Sequence, residues 1–412
     1  MNRSVWVTFV VGLALISGLS GSWTGAWLAL SAAALVIYSA IAFRKPAQLL
    51  SAYRRLATTN AAPGEAVIVH LGIAWQGLRA PGWVVARDEV CPGLKAMDPP
   101  GRLFVASGSR QLALSYRLQG ESRGYYAVGP TAVSCGDFFG AVRSVARRER
   151  IDYLTVTPRI AQTPRIRLPS NRPIGDVRSP NRAFEDPSRL AGVRDFQPGD
   201  GMRRIHWRAS ARTGRLASRV LEPSCSTEVN IILNLHQADY PPDAESLARE
   251  VDLACTTVAS LAASLLGDKQ AVGLQTNGLD ARWAAEGIPP ARRRPNRIRP
   301  DRNPAQLPDM LALLGRMAPN PADPLPDFLT AVHSHLPWSA TLLLVTHGID
   351  ERAALALREL RRTGFSIAAI IIGTGDEAVH AESRAAALRL PMARVKDEDD
   401  LETLELSSPR RR

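Results

Sequence analysis

A stretch at residues 192–215 brings together side chains that could do chemistry. Arginine presents a planar fork of donors and keeps its charge, so a cluster of arginines suits the binding of carboxylates or phosphates. His206 with Asp200 or Asp195 could act as a general base, and Ser210 in the same stretch is the candidate nucleophile. Ser210 lacks the turn of a recognisable nucleophile elbow. A hydrolase is therefore the alternative interpretation, and binding is the leading one.

The candidate binding residues combine guanidinium groups, an aromatic ring and turn residues, and they are Arg194, Pro198, Gly199, Asp200, Arg203, Arg204, His206, Trp207, Arg208, Ser210, Arg212 and Gly214. Four uses of this set are open. It could dock an acidic partner, bind anionic lipid head groups, or hold the protein's own domains together through ion pairs. Nucleic-acid binding is the least favoured use, because only Trp207 and Phe196 are available to stack on bases.

The same stretch resembles the signature of the domain of unknown function 58 family, in which Pro-Gly-Asp-Asp precedes Arg-Arg-Ile-Asp/His-Trp-Lys/Arg-Ala-Ser-Ala-Arg-Thr-Gly. The match is gapless, but Asp195 and Phe196 stand where the family has Glu and Tyr, and Gly201 replaces the second Asp of the turn. The resemblance implies a membrane-anchored protein with a von Willebrand factor type A-like domain. It also implies two partners, an AAA+ ATPase of the MoxR type and a transglutaminase-like membrane protein. It implies no known reaction.

Composition limits the class of protein. At 412 residues the chain has room for two or three domains, and its formal net charge of +12 favours anionic partners. The four cysteines form no Cys-x-x-Cys pair, which argues against a zinc site. The chain has no Gly-x-x-x-x-Gly-Lys loop, so we do not expect it to hydrolyse ATP. We expect no cofactor.

Two apolar runs at the N-terminus, residues 5–19 and 26–43, contain no charged residue between them. Each run is just long enough to cross a bilayer as a helix, and the Gly/Ser segment that separates them suits a tight turn. We therefore predict a two-helix transmembrane hairpin at residues 1–45. Basic residues flank both ends, which places both termini and the soluble bulk in the cytoplasm, below a bacterial inner membrane. A cleaved signal peptide is the alternative.

Residues 60–158 show alternating apolar and polar residues between Gly/Pro turns, as at Leu112, Leu114, Tyr116 and Leu118. This pattern predicts a β-sandwich of the immunoglobulin-like class. Residues 159–191 are rich in Pro, Arg, Asn and Ser and are predicted to be a linker, which leads into the basic signature segment at 192–222.

Residues 227–406 alternate short apolar strands with helices, including a predicted helix at 243–266 and another at 351–362 that ends at Gly364. Such an order predicts a doubly wound, largely parallel sheet. The order is also similar to that of a von Willebrand factor type A domain, as the family resemblance implies.

Type A domains hold Mg²⁺ with carboxylate and hydroxyl oxygens after their first and central strands. Here the corresponding positions carry Asn234, His236 and Thr346, so we expect a degenerate site without metal. Asp239 and Asp350 lie nearby and could substitute only with a shifted geometry. His333 and His335 are spaced like metal ligands on a strand, but their segment is predicted to be helical, which favours a surface pair.

Together these observations predict a multi-pass inner-membrane protein with no enzymatic activity. We expect it to be a protein-interaction scaffold or adaptor, with an AAA+ ATPase of the MoxR type as the partner that the resemblance implies. A hydrolase that uses Asp200, His206 and Ser210 is the alternative function.

Overall fold

The computed structural model of the protein describes residues 8–407 except 9, 10, 13, 17, 20, 22, 43–47, 77–82, 99–100, 106–110, 137–142, 167, 169–184, 198–199, 224–227 and 337–339. The chain has mixed α/β content and divides into two compact units. The first comprises Met1–Arg159, Asp280–Ile288 and Leu311–Met317, and the second comprises Ile160–Leu279, Pro289–Met310 and Ala318–Arg412. Two predicted signature residues, Pro198 and Gly199, and most of the predicted linker lie outside the described residues.

The N-terminal helix α1 (Trp23–Ala42) covers most of the second predicted membrane span. Its 20 residues include no charged side chain, and its apolar surface is exposed, with Trp23 79% and Trp27 69% accessible. The first predicted span is described only at scattered positions. The hairpin therefore stays a prediction.

Ten strands make up most of the first unit, and their alternating sequence fits strands with one buried face. They are β1 (Gln48–Leu56), β2 (Asn60–Ala61), β3 (Ala66–Gln76), β4 (Trp83–Val90), β5 (Leu94–Ala96), β6 (Gly101–Val105), β7 (Gln111–Gly120), β8 (Gly124–Gly136), β9 (Arg143–Arg148) and β10 (Asp152–Val156). One sheet has the order β1-β3-β7-β5, and the other has the order β2-β10-β8-β4-β6 with β9 also paired to β8. The first strand begins before residue 60, where the sequence pattern places the start of this region.

The core of the first unit takes side chains from both sheets. Val69 of β3 and Leu118 of β7 come from one sheet and Leu154 of β10 from the other, and all three are fully buried in one cluster. Ile68, one residue from Val69, is exposed because successive residues of a strand point to opposite faces. The two sheets of this unit therefore pack face to face through their inward-pointing side chains.

A buried ion pair links these two sheets. Nε and Nη2 of Arg54 on β1 donate to the two carboxylate oxygens of Asp88 on β4, at 3.0 and 2.8 Å. The Tyr116 hydroxyl and the Thr131 hydroxyl also donate to Asp88, at 2.6 and 2.5 Å. Burial alone would raise the pKa of Asp88, but these hydrogen bonds and the guanidinium charge hold it below its usual value.

The main sheet of the second unit has six strands in the order β16-β14-β13-β18-β19-β20. They are β13 (Glu228–Leu233), β14 (Ala271–Thr276), β16 (Asn296–Asp301), β18 (Thr341–Thr346), β19 (Ser366–Ile372) and β20 (Met392–Val395). All neighbours are parallel except the edge strand β16. The order reverses at β13, whose neighbours β14 and β18 are reached by crossovers in opposite directions. In open sheets of this kind, ligands bind outside the carboxyl ends of the strands at that reversal.

Helices connect these strands and cover the sheet. Beyond α1 the chain has α2 (Trp207–Thr213), α3 (Ala244–Gly267), α4 (Ala281–Ala285), α5 (Leu307–Arg316), α6 (Leu325–His333), α7 (Glu351–Arg362) and α8 (Asp376–Ala387). The Asp350 carboxylate caps α7 by accepting from the N–H of Ala353 at 2.6 Å. Gly364, with φ of 105°, follows the end of this helix, as the sequence predicts. Two short strands, β15 (Leu279–Asp280) and β17 (Met317–Ala318), form a separate ladder.

Among the described residues, α3 is the one helix whose length and apolar composition would allow it to cross a membrane. In its most apolar window 72% is buried inside the protein. Val251, Leu261 and Leu265 are buried against the sheet, and Asp243 caps the first turn through the N–H of Ser246. We conclude that α3 is a core helix of the second unit.

Candidate functional site

The arginine-rich stretch folds as a β-hairpin that carries a short helical insertion. Its strands, β11 (Glu185–Asp195) and β12 (Ala217–Pro223), pair antiparallel, and β11 begins inside the predicted linker. A 3₁₀ turn (Met202–Arg204) and α2 lie between the strands. Ile205 joins the two parts because its side chain is buried and its backbone bridges to Ser218. The arginines of the insertion therefore stand on a folded support.

The insertion presents charge and apolar surface together. Arg203, Arg208, Arg212 and Arg215 are exposed, and none pairs with a carboxylate in the part of the chain that the structure describes. Met202 is 80% exposed and Trp207 is 65% exposed. By contrast, Arg194 on β11 forms an ion pair with Asp200 at 2.6 Å. Most guanidinium groups of this segment thus remain available for an external anion.

Each member of the alternative hydrolase set is used locally. Nδ1 of His206 accepts from the N–H of Ala209 at 3.1 Å and caps α2. The Ser210 hydroxyl donates to the His206 carbonyl oxygen at 3.1 Å and accepts from the N–H of Ala217 at 2.9 Å. The Asp200 carboxylate accepts from the N–H of Gln197 at 3.0 Å. The contact between Ser210 and Ala217 fixes the insertion to β12.

The pKa of Asp200 shows the same local role. The hydrogen bond from the N–H of Gln197 and the contact with Arg194 hold the pKa of this carboxyl below its usual value. A carboxylate that is stabilised in its charged form is a weak general base. The hydrolase alternative therefore gains no support from the geometry of the three residues.

A second candidate site lies at the carboxyl ends of β13, β14 and β18, where the strand order reverses. Asn234 follows β13, Asn277 follows β14 and Thr346 ends β18, and all three are buried. Nδ2 of Asn234 donates to Asp239 Oδ2 at 2.7 Å and to Thr346 Oγ1 at 3.0 Å. Oδ1 of Asn234 accepts from Asn277 Nδ2 at 2.8 Å and from the N–H of His236 at 3.1 Å. All donors and acceptors of this amide are therefore satisfied.

Further amides extend the network. Oδ1 of Asn277 accepts from the N–H of Leu235 at 2.7 Å, and Nδ2 of Asn320 donates to the carbonyl oxygen of Asn277 at 2.7 Å. Asn320 also donates to Asp323 Oδ2 at 2.8 Å. The loops that follow the three strands are thus tied together by side-chain amides.

Next to this network, His347 contacts a glutamate of the core helix α3. Its Nε2 lies 2.5 Å from Glu250 Oε2, and its Nδ1 lies 2.6 Å from the carbonyl oxygen of Asp239. The Tyr240 ring stacks on the imidazole with a centroid distance of 5.2 Å. The Glu250 carboxyl also lies close to Gly373, and a Cβ atom on residue 373 would overlap with this carboxyl group. Two loops of the crevice therefore close onto α3.

Asp239 is the carboxylate that accepts a hydrogen bond from Asn234. Burial raises the pKa of Asp239, and the hydrogen bond from Asn234 counteracts only part of this effect. The carboxylate of Asp350 acts in the same direction as burial. The site thus disfavours the addition of further negative charge.

This arrangement does not fit the Mg²⁺ that the type A resemblance implies. A hard cation needs several oxygen lone pairs directed at one point, with carboxylate charge among them. Here Nδ2 of Asn234, a hydrogen-bond donor, points at the oxygens of Asp239 and Thr346. Within the described residues, no group of three or more His, Cys, Asp and Glu side chains could hold a metal ion.

The structure brings together two of the three residues predicted for the degenerate site. Asn234 and Thr346 are hydrogen-bonded, whereas the His236 side chain turns to the carbonyl oxygen of Asn320 at 3.2 Å. Sequence reasoning missed Asn277, Asn320 and the His347–Glu250 contact. Asn277 and His347 directly follow apolar strands, so a search for polar residues at strand ends would have found them. Nothing in the sequence singles out Glu250 from the other polar residues of its helix.

The fold and the sites define a class of protein: a chain with a two-sheet unit, a doubly wound unit and a basic, aromatic hairpin insertion. Residues 192–294 match the family described as "Protein of unknown function DUF58". "Uncharacterized protein YeaD" of Bacillus subtilis is 24% identical over 209 residues, which cover 50% of this chain and 52% of that protein. The match thus spans about half the length of this relative. Both findings support the DUF58 family for this chain.

Similarities to solved structures are weak. A chain of the complex between Zinc 2-glycoprotein and Prolactin inducible protein from human seminal plasma is 11% identical and has a TM-score of 0.21. The similarity covers 27% of this chain and 98% of that one. Cwp6 from Clostridium difficile is also 11% identical, with a TM-score of 0.17 over 85% of this chain and 38% of that chain. Scores of this size carry no argument about fold or function.

Proposed function

We propose that the protein is a membrane-anchored scaffold or adaptor that acts by binding other proteins. An N-terminal hairpin anchors it in the inner membrane, and its two units lie in the cytoplasm. The first unit is an immunoglobulin-like sandwich, and the second is a von Willebrand factor type A-like domain without its metal. The partner is an AAA+ ATPase of the MoxR type, and a transglutaminase-like membrane protein belongs to the same assembly.

The crevice of the second unit carries this proposal. At the strand reversal, where open sheets of this order place their ligands, Asn234 uses its whole amide for neighbouring loops. His206 and Ser210 likewise serve the folding of the signature segment. Such a framework is stiff and presents its loops as a fixed surface, which suits recognition of a partner.

The anchor is supported by α1. Its exposed apolar surface, with Trp23 and Trp27 near its start, would face water in a protein without a membrane. Trp side chains are enriched at membrane interfaces, where one part of the ring is apolar and the other is hydrated. An alkaline carbonate wash tests the anchor. The full-length chain is expected to stay with the membrane, and its release would overturn this part of the proposal.

Binding of the purified, detergent-solubilised chain to a MoxR-type ATPase of the same organism tests the adaptor role. We expect a stable complex. If the two proteins do not associate, the assignment of this partner is wrong. Hydrolysis of ester or amide substrates that Ser210→Ala abolishes would establish the enzyme instead of the scaffold.

A further inference from the structure

We propose that the hairpin insertion at residues 201–216 binds the surface of an anionic phospholipid bilayer. The inference rests on the membrane anchor proposed above and adds a second contact of the same chain with the membrane. The structural basis is that exposed apolar residues stand next to Arg203, Arg208 and Arg215, which are exposed and pair with no carboxylate among the described residues, on an insertion that is fixed to a folded hairpin.

Each exposed apolar residue has a basic neighbour. Met202 precedes Arg203, Trp207 precedes Arg208, and Leu216, which is half-exposed, follows Arg215. A bilayer surface offers phosphates to the arginine forks and, a few ångströms deeper, apolar matter to Trp and Met. Indole rings in particular partition to the depth of the head groups.

The charge of the segment also fits a bilayer. The acidic side chain of Asp200 is engaged by Arg194, so it does not neutralise the arginines of α2 and of the turns that flank it. Arg212 lies in the last turn of α2 and adds to the positive charge of the segment. Negative lipids attract basic groups that approach the membrane surface, and the attraction is screened by salt.

The apolar residues do not form a groove. Met202 lies in the 3₁₀ turn, Trp207 begins α2 and Leu216 precedes β12, so they are spread along the segment. An acidic protein would need a matching apolar residue for each of them, whereas a fluid bilayer adapts to all three. The anchor would also hold the insertion at high effective concentration near the lipid.

Fluorescence of the full-length chain in nanodiscs tests the proposal. Discs are prepared from phosphatidylcholine alone or mixed with phosphatidylglycerol, each with bromine-labelled acyl chains that quench tryptophan on contact. The contribution of Trp207 is the difference between the wild type and Trp207→Phe. Quenching of Trp23 and Trp27, which persists in Trp207→Phe, reports insertion of the anchor independently.

We expect quenching of Trp207 in the anionic discs, with at least a twofold reduction in neutral discs and at high salt. Arg203→Glu combined with Arg208→Glu should abolish it. Arg352→Glu combined with Arg358→Glu is the matched control, since it changes the net charge equally at exposed positions of α7. Thermal unfolding of each variant shows whether it is folded.

Three outcomes would overturn the proposal. In the first, Trp207 is not quenched although Trp23 and Trp27 are. In the second, Trp207 is quenched equally in both lipids and in the charge-reversed variant. In the third, hydrogen exchange of residues 201–216 is slowed by a partner protein but by neither kind of nanodisc. If the anchor does not insert, the proposed localisation is wrong. Flotation of the protein with preformed anionic vesicles then tests whether the insertion binds lipid. Flotation that the charge-reversed variant loses supports lipid binding, and its absence in the wild type refutes it.

Discussion

Nε2 of His347 and Oε2 of Glu250 lie 2.5 Å apart, and neither atom has another hydrogen-bond partner among the described residues. The opposite nitrogen, Nδ1, faces the carbonyl oxygen of Asp239, which can only accept, so Nδ1 carries a proton. The contact of Nε2 with the carboxyl group joins the core helix α3 to the loop after β18.

Replacement of Glu250 tests this contact. Glu250→Leu leaves the buried Nε2 of His347 without a polar neighbour, and an unsatisfied buried group of this kind costs about 1–3 kcal/mol. Glu250→Gln can donate its amide N–H to Nε2 and should lose less. Thermal unfolding of the two variants gives the comparison, and equal losses would show that the hydrogen bond contributes nothing.

Asn234→Asp should destabilise the crevice at neutral pH. The new carboxylate would face Asp239, and the amide donor between them would be lost. We expect a loss of about 3 kcal/mol, as for other uncompensated buried charges. The variant now has two carboxylates and a hydroxyl at one point, so Mg²⁺ or Ca²⁺ should raise its melting temperature and not that of the wild type. A cation response in the wild type would contradict the metal-free assignment.

Asp239→Asn should change the dependence of stability on pH. Because the pKa of Asp239 is raised in the folded protein, the folded state binds its proton more tightly than the unfolded state does. The charged carboxylate thus reduces stability above its folded pKa, and this penalty disappears as pH falls to the pKa of an unfolded aspartate. Asparagine keeps an acceptor for Asn234 without the charge. We expect the stability advantage of the variant to be greatest at neutral pH and to shrink in acid, as measured by urea unfolding.

Asp88→Asn should have the opposite pH signature. The pKa of Asp88 is lowered in the folded protein, so its ionised form adds stability above the pKa of an unfolded aspartate and loses it as pH falls through the folded value. At neutral pH the variant leaves Arg54 without its closest charge, and we expect a loss of about 3–5 kcal/mol. The difference from the wild type should close in acid.

The control for this variant is Asp98→Asn, which breaks the exposed ion pair with Arg117. Surface pairs contribute about 0–1 kcal/mol, so this change should have little effect at any pH. Hydrogen exchange in β4 and β7 localises the change to the first unit. If both aspartates have equal effects, the Arg54–Asp88 pair does not hold the two sheets together.

Neighbouring residues are enough to predict the local elements and to recognise the basic character of the signature segment. A helix is present at Glu351–Arg362 and a strand at Thr341–Thr346, where periodicity and continuous hydrophobicity predict them, because these signals are contained in neighbouring residues. The cluster of arginines was also apparent from the sequence. Its exposure could not be predicted, because the same residues could have formed ion pairs inside the protein.

Which side chains meet depends on how the strands and helices pack. Asn234, Asn277 and Thr346 are far apart in the chain and come together because parallel strands end at the same edge of the sheet. His347 meets Glu250 because α3 packs across this sheet. The physical reason is that a local pattern fixes the face of an element, whereas the partner across the fold depends on strand order and packing, which no short stretch of sequence contains.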